Sequence, residues 1–346
     1  MGVSATTKTA SWGPFERAAI LPAWSPVAVV AVAFLAGAEL PPPLRYAPLA
    51  ASVVFGLPHG AVDPFVLPRA RDASVGTRSL AFVGALYLLF GCAYAAVWFV
   101  APVAAAVAFV LLTWFHWGQG DLHALVSLVG VDHLRTRPQR VLAVFVRGGF
   151  PMLVPLVAFP ARYRSVLDGF VALFGSSFAL AWPFAPTVRV ALGGGFAVLT
   201  ALALAVGYSR ATDHRRWGID AAETGLLWAF FATVPPVVAV GVYFCCWHSV
   251  RHVLRAVALD DVAADRLRQG RSLEALARFA REATPLTLAA LAVLCGFAVA
   301  VPRPPGDLRG LVALYLVVIA VLTLPHVVVV SLLDAAEGIW AGRTRL

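Results

Sequence analysis

Five histidines lie inside apolar stretches of the chain, where a polar side chain is costly and is usually retained for a function. They are His59, His116, His248, His252 and His326. His248 and His252 are four residues apart in CCWHSVRH, so on a helix both imidazoles point the same way and could hold one metal ion. Imidazole ligands without a thiolate or carboxylate suit Fe, Cu, Zn or Ni, and the residues alone do not choose among these metals. The structural alternative is that each histidine only bridges two helices by hydrogen bonds.

Two motifs, GLPHGAVD and WFHWGQGD, place an aspartate shortly after a histidine. Asp63 follows His59 by one helical turn, so we expect its carboxylate to accept the second imidazole N–H and to orient that ring. Asp121 is expected to do the same for His116 or for another ligand. The alternative for both aspartates is a plain hydrogen bond between helices. Pro58 removes a backbone N–H, which predicts a bend in the helix at this point.

Large aromatic side chains surround two of these motifs. We interpret them as the lining of a tunnel for a long apolar substrate that enters sideways from the bilayer. The alternative is ordinary lipid contact or helix packing. The candidate lining residues are Trp114, Phe115, Trp117, Tyr243, Phe244 and Trp247.

Composition sets the environment of these side chains. Of the 346 residues, 60% are apolar and 13% are charged, whereas soluble domains carry roughly 25% charged residues. The chain is therefore predicted to be an all-α, polytopic transmembrane bundle with about ten spanning helices. The candidate spans are 24–40, 47–67, 79–101, 103–128, 141–160, 166–185, 188–208, 222–250, 284–301 and 308–331.

The whole chain, 1–346, is predicted to form a single integral membrane domain. It consists of an N-terminal segment, 1–23, a bundle formed by 24–254 and 284–331, and an amphipathic surface helix, 255–283. Arg251 and Arg255 are expected to reach the membrane surface by snorkelling. The cysteines Cys92, Cys245, Cys246 and Cys295 are predicted to be small core residues rather than disulfides or metal ligands.

The basic residues predict an orientation. With these ten spans and a cytoplasmic N-terminus, 18 Lys and Arg residues lie on the inner side and eight on the outer side. This excess predicts a multi-pass protein of the cell membrane with both termini cytoplasmic. The net charge of +9 is concentrated in short loops between spans, so it does not indicate binding of nucleic acid. His123, His133 and His214 lie at or near span ends and carry no functional prediction.

The histidine motifs, together with RGGFPMLVPLVAFP and the late LPH, resemble the Brp/Blh family of membrane β-carotene 15,15′-dioxygenases over roughly 45–335. The resemblance implies Fe²⁺ held by His59, His116, His248 and His252, with open positions for O₂. His326 would be an extra ligand, or would orient a ligand or line the pocket. It also implies cleavage of β-carotene with O₂ into two molecules of retinal, which serve a microbial rhodopsin apoprotein.

Three other functions remain at this point. A membrane metal-ion transporter would use the same histidines as transit sites, and it requires a polar path that opens on both faces. A non-cleaving helper of retinal supply would share the motifs. A di-iron desaturase or hydroxylase would need about eight clustered histidines, in H-x-x-x-H and H-x-x-H-H patterns, and the sequence has only one such pair.

Overall fold

A computed structural model describes residues 13–341. These residues form α-helices joined by short turns, and they contain no β-strand. The helices are α1 Pro14–Leu35, α2 Ala47–Phe55, α3 Asp63–Arg69, α4 Thr77–Val100, α5 Pro102–His123, α6 Arg137–Ala158, α7 Pro160–Ala172, α8 Pro186–Arg210, α9 His214–Thr233, α10 Pro236–Val242, α11 Ser249–Ala258, α12 Asp261–Arg268, α13 Ser272–Ala300 and α14 Leu308–Ala336.

Nine helical stretches of the described residues are long and apolar enough to cross a membrane. They are α1, Pro42–Arg69, α4, α5 with the turn that follows it, α6, α8, Pro236–Ala258, α13 and α14. This confirms the predicted all-α polytopic bundle. Proline stands at the first position of α1, α5, α8 and α10, where its missing N–H leaves no intrahelical bond unmade.

The predicted span 166–185 is wrong. Helix α7 ends at Ala172 after 13 residues, which is about 20 Å and too short for a hydrocarbon core of about 30 Å. Gly175 adopts φ +74° and terminates the helix, since the N–H of Ser176 returns to the carbonyl of Val171. The chain then runs irregularly to Pro186, where α8 begins.

The predicted span 222–250 is also wrong, because it joins parts of two helices. Helix α9 begins after Asp213, whose carboxylate caps the N–H groups of Arg215 and Arg216. The Pro235-Pro236 pair then ends α9 and starts α10. The charged residues of α9 lower its mean hydropathy, so it is not among the nine apolar stretches, yet its 20 residues are long enough to cross the bundle.

The stretch 255–283 is not one amphipathic helix, as predicted, but contains parts of three helices. Helix α11 ends at Ala258, α12 occupies Asp261–Arg268, and α13 begins at Ser272 and continues into the bundle without interruption. Asp260 caps α12, and Gly270 adopts φ +79° between α12 and α13. The cap and the glycine break the helical repeat that the spacing of leucines had indicated.

Both described ends of the chain lie on the same face of the bundle. Ile20 in α1 and Ile339 after α14 belong to one buried cluster. Arg140 at the start of α6 donates to the carbonyl of Ile339. The opposite face holds α7 and the turn before α14, where the N–H of Arg303 donates to the carbonyl of Leu173. We call these the terminal face and the α7 face.

Glycines let α5 and α6 cross closely. A Cβ on Gly118 would lie 2.0 Å from the carbonyl oxygen of Val144, and one on Gly148 would lie 1.8 Å from that of Trp114. Only residues without a side chain fit there, as in other tightly packed membrane helices. This crossing fixes the position of the α5 segment that carries WFHWGQGD.

Candidate metal centre

The five histidines from the apolar stretches converge at one point inside the bundle. They come from the turn before α3, from α5, from the segment α10–α11 and from α14, and none is more than 9% exposed. Their recorded ring-centroid separations run from 4.5 Å, between His248 and His252, to 6.4 Å, between His59 and His116. The Nε2 atoms of His116 and His248 are 3.1 Å apart. The five imidazoles of His59, His116, His248, His252 and His326 are called the histidine cluster below.

Irregular backbone turns aim two of these rings. Residues Leu57–Val62 form a 3₁₀ turn between α2 and α3, so the helix changes pitch at Pro58, and His59 lies within that turn. Residues Tyr243–His248 form a π-helical turn that ends at the first histidine of CCWHSVRH. Such turns shift the register of the side chains that follow and are frequent at functional sites. Nothing in the sequence marks the π turn.

Each ring of the histidine cluster has a buried nitrogen with no hydrogen-bond partner among the described residues. The unpaired atoms are His59 Nε2, His116 Nδ1, His248 Nδ1, His252 Nε2 and His326 Nε2. In each of two triplets, His59–His116–His326 and His116–His248–His252, one ring nitrogen from each histidine lies within 4.8 Å of the others. Buried polar atoms normally find a partner. The donor set therefore fits a divalent transition metal, which takes neutral imidazole nitrogens.

Asp63 orients a different ring from the one predicted. Its carboxylate accepts from Nδ1 of His326 at 2.9 Å and from the hydroxyl of Tyr87 at 2.8 Å. His59 instead uses Nδ1 to contact the carbonyl oxygen of Gly56 at 2.6 Å. Both are arrangements that hold a ligating imidazole in one orientation. The 3₁₀ turn causes the exchange, because it breaks the α-helical spacing that would have placed Asp63 against His59.

Asp121 contacts no histidine, contrary to the prediction. Its carboxylate accepts from the indole N–H of Trp247 at 2.9 Å and pairs with Arg251 at 3.0 Å and with Arg147 at 3.4 Å. Glu223 on α9 also pairs with both arginines. Arg251 is 1% exposed, so the prediction that it snorkels to the surface is wrong. It stands between the two histidines of CCWHSVRH and anchors their helix to α5 and α9.

Arg255 is also buried rather than snorkelling, in a second group of charges near the terminal face. It pairs with Asp334 at 2.7 Å and with Glu337, whose Oε1 lies 3.7 Å from Nε2 of His123. Burial raises the pKa of Glu337, but His123 and the Arg255 charge outweigh it and hold this pKa at about 2. Gln119 donates to Asp334 at 2.7 Å, which connects this group to the helix of His116.

Two histidines to which the sequence assigned no role are structural partners of acids. His123 contacts Glu337 as described, and Nε2 of His133 lies 2.9 Å from Asp220, which also pairs with Arg147. His214 remains at the surface as expected, against the ring of Tyr208. The signal that could have identified His133 is Asp220, an acid on the segment that precedes the apolar half of α9.

A cavity of about 650 Å³ adjoins the histidine cluster. His59, His116, His248 and His326 form part of its wall, and most other lining residues are apolar. Trp117 and Phe244 line it as predicted, with ring centroids 5.5 Å from those of His248 and His59, respectively. The cavity extends from the histidines to residues of α7 on the α7 face.

Four of the predicted lining aromatics lie elsewhere. The indole N–H of Trp114 donates to the carbonyl of Phe145, Phe115 is 39% exposed, and Trp247 binds Asp121. Tyr243 is packed in the core with α6 and α9. The sequence missed lining residues that carry no motif, among them Tyr87, Phe109, Thr113, Tyr163 and Phe170.

The cavity opens sideways between α4 and α13. Four of its lining residues are also exposed on the outside of the bundle: Leu80, Leu88, Leu286 and Val293. Gly84 lines the same opening, and a Cβ built on it meets no atom within 4 Å. These side chains are apolar and lie on membrane-crossing helices, so the opening faces the level of the acyl chains.

A family profile described as Beta-carotene 15,15′-dioxygenase matches residues 50–334. A Halobacterium salinarum protein named probable beta-carotene 15,15′-dioxygenase Blh is 54% identical over 324 residues, covering 93% of this chain and 94% of that protein. A second protein of that species, named probable beta-carotene 15,15′-dioxygenase Brp, is 39% identical over 304 residues, with 83% of each chain covered.

A more distant relative is named beta-carotene 15,15′-dioxygenase and comes from an uncultured marine bacterium. It is 25% identical over 206 residues, which are 59% of this chain and 66% of that protein. No solved structure matches the chain.

Proposed function

The chain belongs to the β-carotene 15,15′-dioxygenase family, and from this premise we propose that it cleaves the central double bond of β-carotene with O₂ to give two molecules of retinal. The observation that carries the proposal is a buried cluster of imidazoles in the wall of an apolar cavity that opens toward lipid. A hydrocarbon substrate has no polar group through which a protein could hold it, so its binding site must be lined by apolar side chains.

The proposed cofactor is Fe²⁺, held by imidazole nitrogens of His59, His116, His248 and His252. His326 is a fifth candidate ligand, since Asp63 holds its Nδ1 and leaves Nε2 free to bind. When bound, iron supplies the activation of O₂ toward the polyene. The resemblance of the motifs, rather than the donor atoms, supports iron over other divalent metals.

The chain's own residues contribute position and exclusion of water. The cavity wall holds the polyene beside the histidine cluster, so that the location of the central bond decides where cleavage occurs. Trp117 and Phe244 stand against cluster imidazoles and line the cavity beside them, where their apolar rings would contact the polyene. The apolar lining keeps water out of the site. No acid or base is needed at the substrate.

Substrate and product are proposed to pass through the opening between α4 and α13, directly from and to the bilayer. Most residues of the cavity wall are apolar, and its polar groups are mainly the histidine cluster and a few hydroxyls. The cavity therefore offers no continuous polar route between the two faces of the bundle. A metal-ion transporter requires such a route, so the observations favour the enzyme.

We propose the cell membrane as the location, with the terminal face cytoplasmic. Replacing the wrong span 166–185 with α9 moves Arg210, Arg215 and Arg216 to the terminal face and Arg189 to the α7 face. Among residues 13–341, and leaving out Arg147 and Arg251, which are buried inside the bundle, 16 arginines then lie on the terminal side and six on the other. A fluorescent protein fused to the C-terminus should be bright only if that end is cytoplasmic.

The retinal is proposed to supply a microbial rhodopsin apoprotein, as the resemblance implies.

The test is to purify the protein in detergent, measure bound iron, and quantify retinal after adding β-carotene in air. We expect iron to co-purify and retinal to form at two molecules per β-carotene. His248→Ala should abolish both iron binding and retinal formation, whereas His214→Ala, a surface control, should change neither. Iron-loaded protein that yields no retinal would contradict the activity and support the non-cleaving helper. Full activity of His248→Ala with intact iron would remove His248 from the site.

A further inference from the structure

A single threonine hydroxyl in the cavity wall is left without a hydrogen bond. Thr113 is 5% exposed, lines the cavity, and stands on α5 three residues before His116. Residues three apart on a helix share a face, so its side chain lies next to the histidine cluster. The Oγ1 atom is buried and has no partner in the part of the chain that the structure describes.

Most other threonines within the described helices bond their hydroxyls locally. Five of them donate to the carbonyl oxygen four residues earlier: Thr200, Thr233, Thr284, Thr287 and Thr323. This local bond is the ordinary way to satisfy a buried hydroxyl in an apolar helix. Thr224 lacks it as well, and lines a small cavity beside Asp220. Thr113 is therefore unusual in forgoing that bond at the wall of the large cavity.

A free buried hydroxyl is unfavourable unless an occupant of the cavity satisfies it. The other hydroxyls of the wall are engaged or lie farther along it. Tyr87 donates to Asp63, Thr323 donates to Ile319, and Tyr163 belongs to α7 on the α7 face. Thr113 is thus the hydroxyl beside the histidine cluster that remains available to a ligand.

The chemistry of the proposed reaction supplies a matching acceptor. β-Carotene is a hydrocarbon, and the only polar atom of retinal is the aldehyde oxygen, which appears on the carbon of the broken bond. That carbon must lie at the histidine cluster, next to Thr113. We propose, on the basis of the proposed function, that Thr113 Oγ1–H donates a hydrogen bond to the aldehyde oxygen of retinal in the cavity. The hydroxyl keeps its proton and forms no covalent bond.

The experiment compares Thr113→Val, which keeps the shape and removes the hydroxyl, with Thr113→Ser, which keeps the hydroxyl. Full-length proteins are stripped of metal with a chelator, and binding of retinal and of its oxygen-free hydrocarbon, axerophtene, is measured by fluorescence quenching. Thr113→Val should weaken retinal binding about 2- to 10-fold, the effect of one neutral hydrogen bond. Its axerophtene affinity should equal that of the wild type, and Thr113→Ser should bind retinal like the wild type.

A second measurement reports the bond directly. The carbonyl stretch of bound retinal, followed by infrared difference spectroscopy, should lie at lower frequency in the wild type and Thr113→Ser than in Thr113→Val. Unchanged retinal affinity and an unchanged stretch in Thr113→Val, with a wild type that forms retinal, would overturn the inference and leave the proposed function intact. Weakened binding of axerophtene to the same degree would also overturn it, because the effect would then be one of packing. A wild type that forms no retinal would refute the proposed function, and this inference with it.

Discussion

Gly120 offers a sharp test of whether the histidine cluster binds metal. It lies on α5 against the two histidines of CCWHSVRH, and a Cβ added there would stand 2.6 Å from Nε2 of His252 and 3.3 Å from Cε1 of His248. Ordinary carbon contacts begin at about 3.4 Å. Gly120→Ala therefore forces the His252 ring to move by roughly 0.8 Å, or forces α5 and α11 apart by a similar amount.

A displacement of this size should disrupt metal binding while leaving the helix folded. Metal–ligand distances hold to about 0.2 Å, so His252 would leave its position in any site that uses Nε2. Misplacing a ligand through its surroundings weakens metal binding typically about 10- to 100-fold. In contrast, replacing glycine with alanine inside a helix raises helix propensity by about 1 kcal/mol. We expect a folded protein that has lost affinity for iron.

The assay measures bound iron and its dissociation constant in purified Gly120→Ala, together with retinal formed per protein. Iron affinity and retinal formation should fall together, while the thermal unfolding midpoint of the chelated protein should not fall. Gly194→Ala on α8 is the matched control, since its added Cβ meets nothing within 4 Å. It should keep wild-type iron and activity. Wild-type iron affinity in Gly120→Ala would show that Nε2 of His252 is not a ligand.

Three further changes probe separate parts of the site. Asp63→Asn keeps an acceptor for His326 but removes its charge, and iron affinity, measured by chelator competition, should fall about tenfold if His326 is a ligand. Gly84→Trp should block the opening to the bilayer, so retinal per bound iron should fall about tenfold or more while iron content stays constant. The pKa of Glu337 is lowered from 4.5 to about 2, so the stability that its charge provides is complete above pH 4.5 and is lost as the pH falls toward 2. Over this interval, the unfolding midpoint of the wild type should fall more steeply than that of Glu337→Gln.

Each of these expectations has an outcome that contradicts it. Asp265→Asn, in an exposed pair on α12, is the control for Asp63→Asn, and equal iron affinity of the two variants would show that Asp63 does not tune a ligand. Gly194→Trp is the control for Gly84→Trp, and equal retinal yields would place the entrance elsewhere. Parallel pH profiles of the wild type and Glu337→Gln would mean that the contacts of Glu337 do not stabilise the fold.

The sequence predicts the bundle well because the apolar stretches are long, and membrane hydrocarbon leaves few alternatives to a helix. It fails where charge and apolar length conflict. The charged first half of α9, which includes Asp220, lies outside the predicted span 222–250. Partners from distant segments, among them Arg147 and Arg251, explain why the acids of α9 are tolerated inside the bundle. The segment 166–185 looked like a span because the glycine turn at Gly175 follows apolar residues.

In the candidate site, too, the sequence predicts some residues and misses others. Each cluster histidine stands out in sequence because an imidazole is rare in hydrocarbon. The partners of those rings do not stand out. Helical spacing assigned Asp63 to His59, whereas the 3₁₀ turn presents it to His326. The sequence predicts a surface position for Arg251, because arginine is usually exposed. The acids that pair with it inside the bundle, Glu223 and Asp121, are 28 and 130 positions away in sequence.

The sideways opening between α4 and α13 determines which substrate concentration sets the reaction rate. If β-carotene arrives through the acyl chains, the rate depends on its mole fraction in the membrane and not on its molarity in the suspension. Adding empty lipid at fixed enzyme and fixed carotenoid should therefore slow turnover, as in surface-dilution kinetics. Retinal released by the same proposed route would stay among the acyl chains, so the proposed rhodopsin acceptor would collect it by lateral diffusion in the same bilayer.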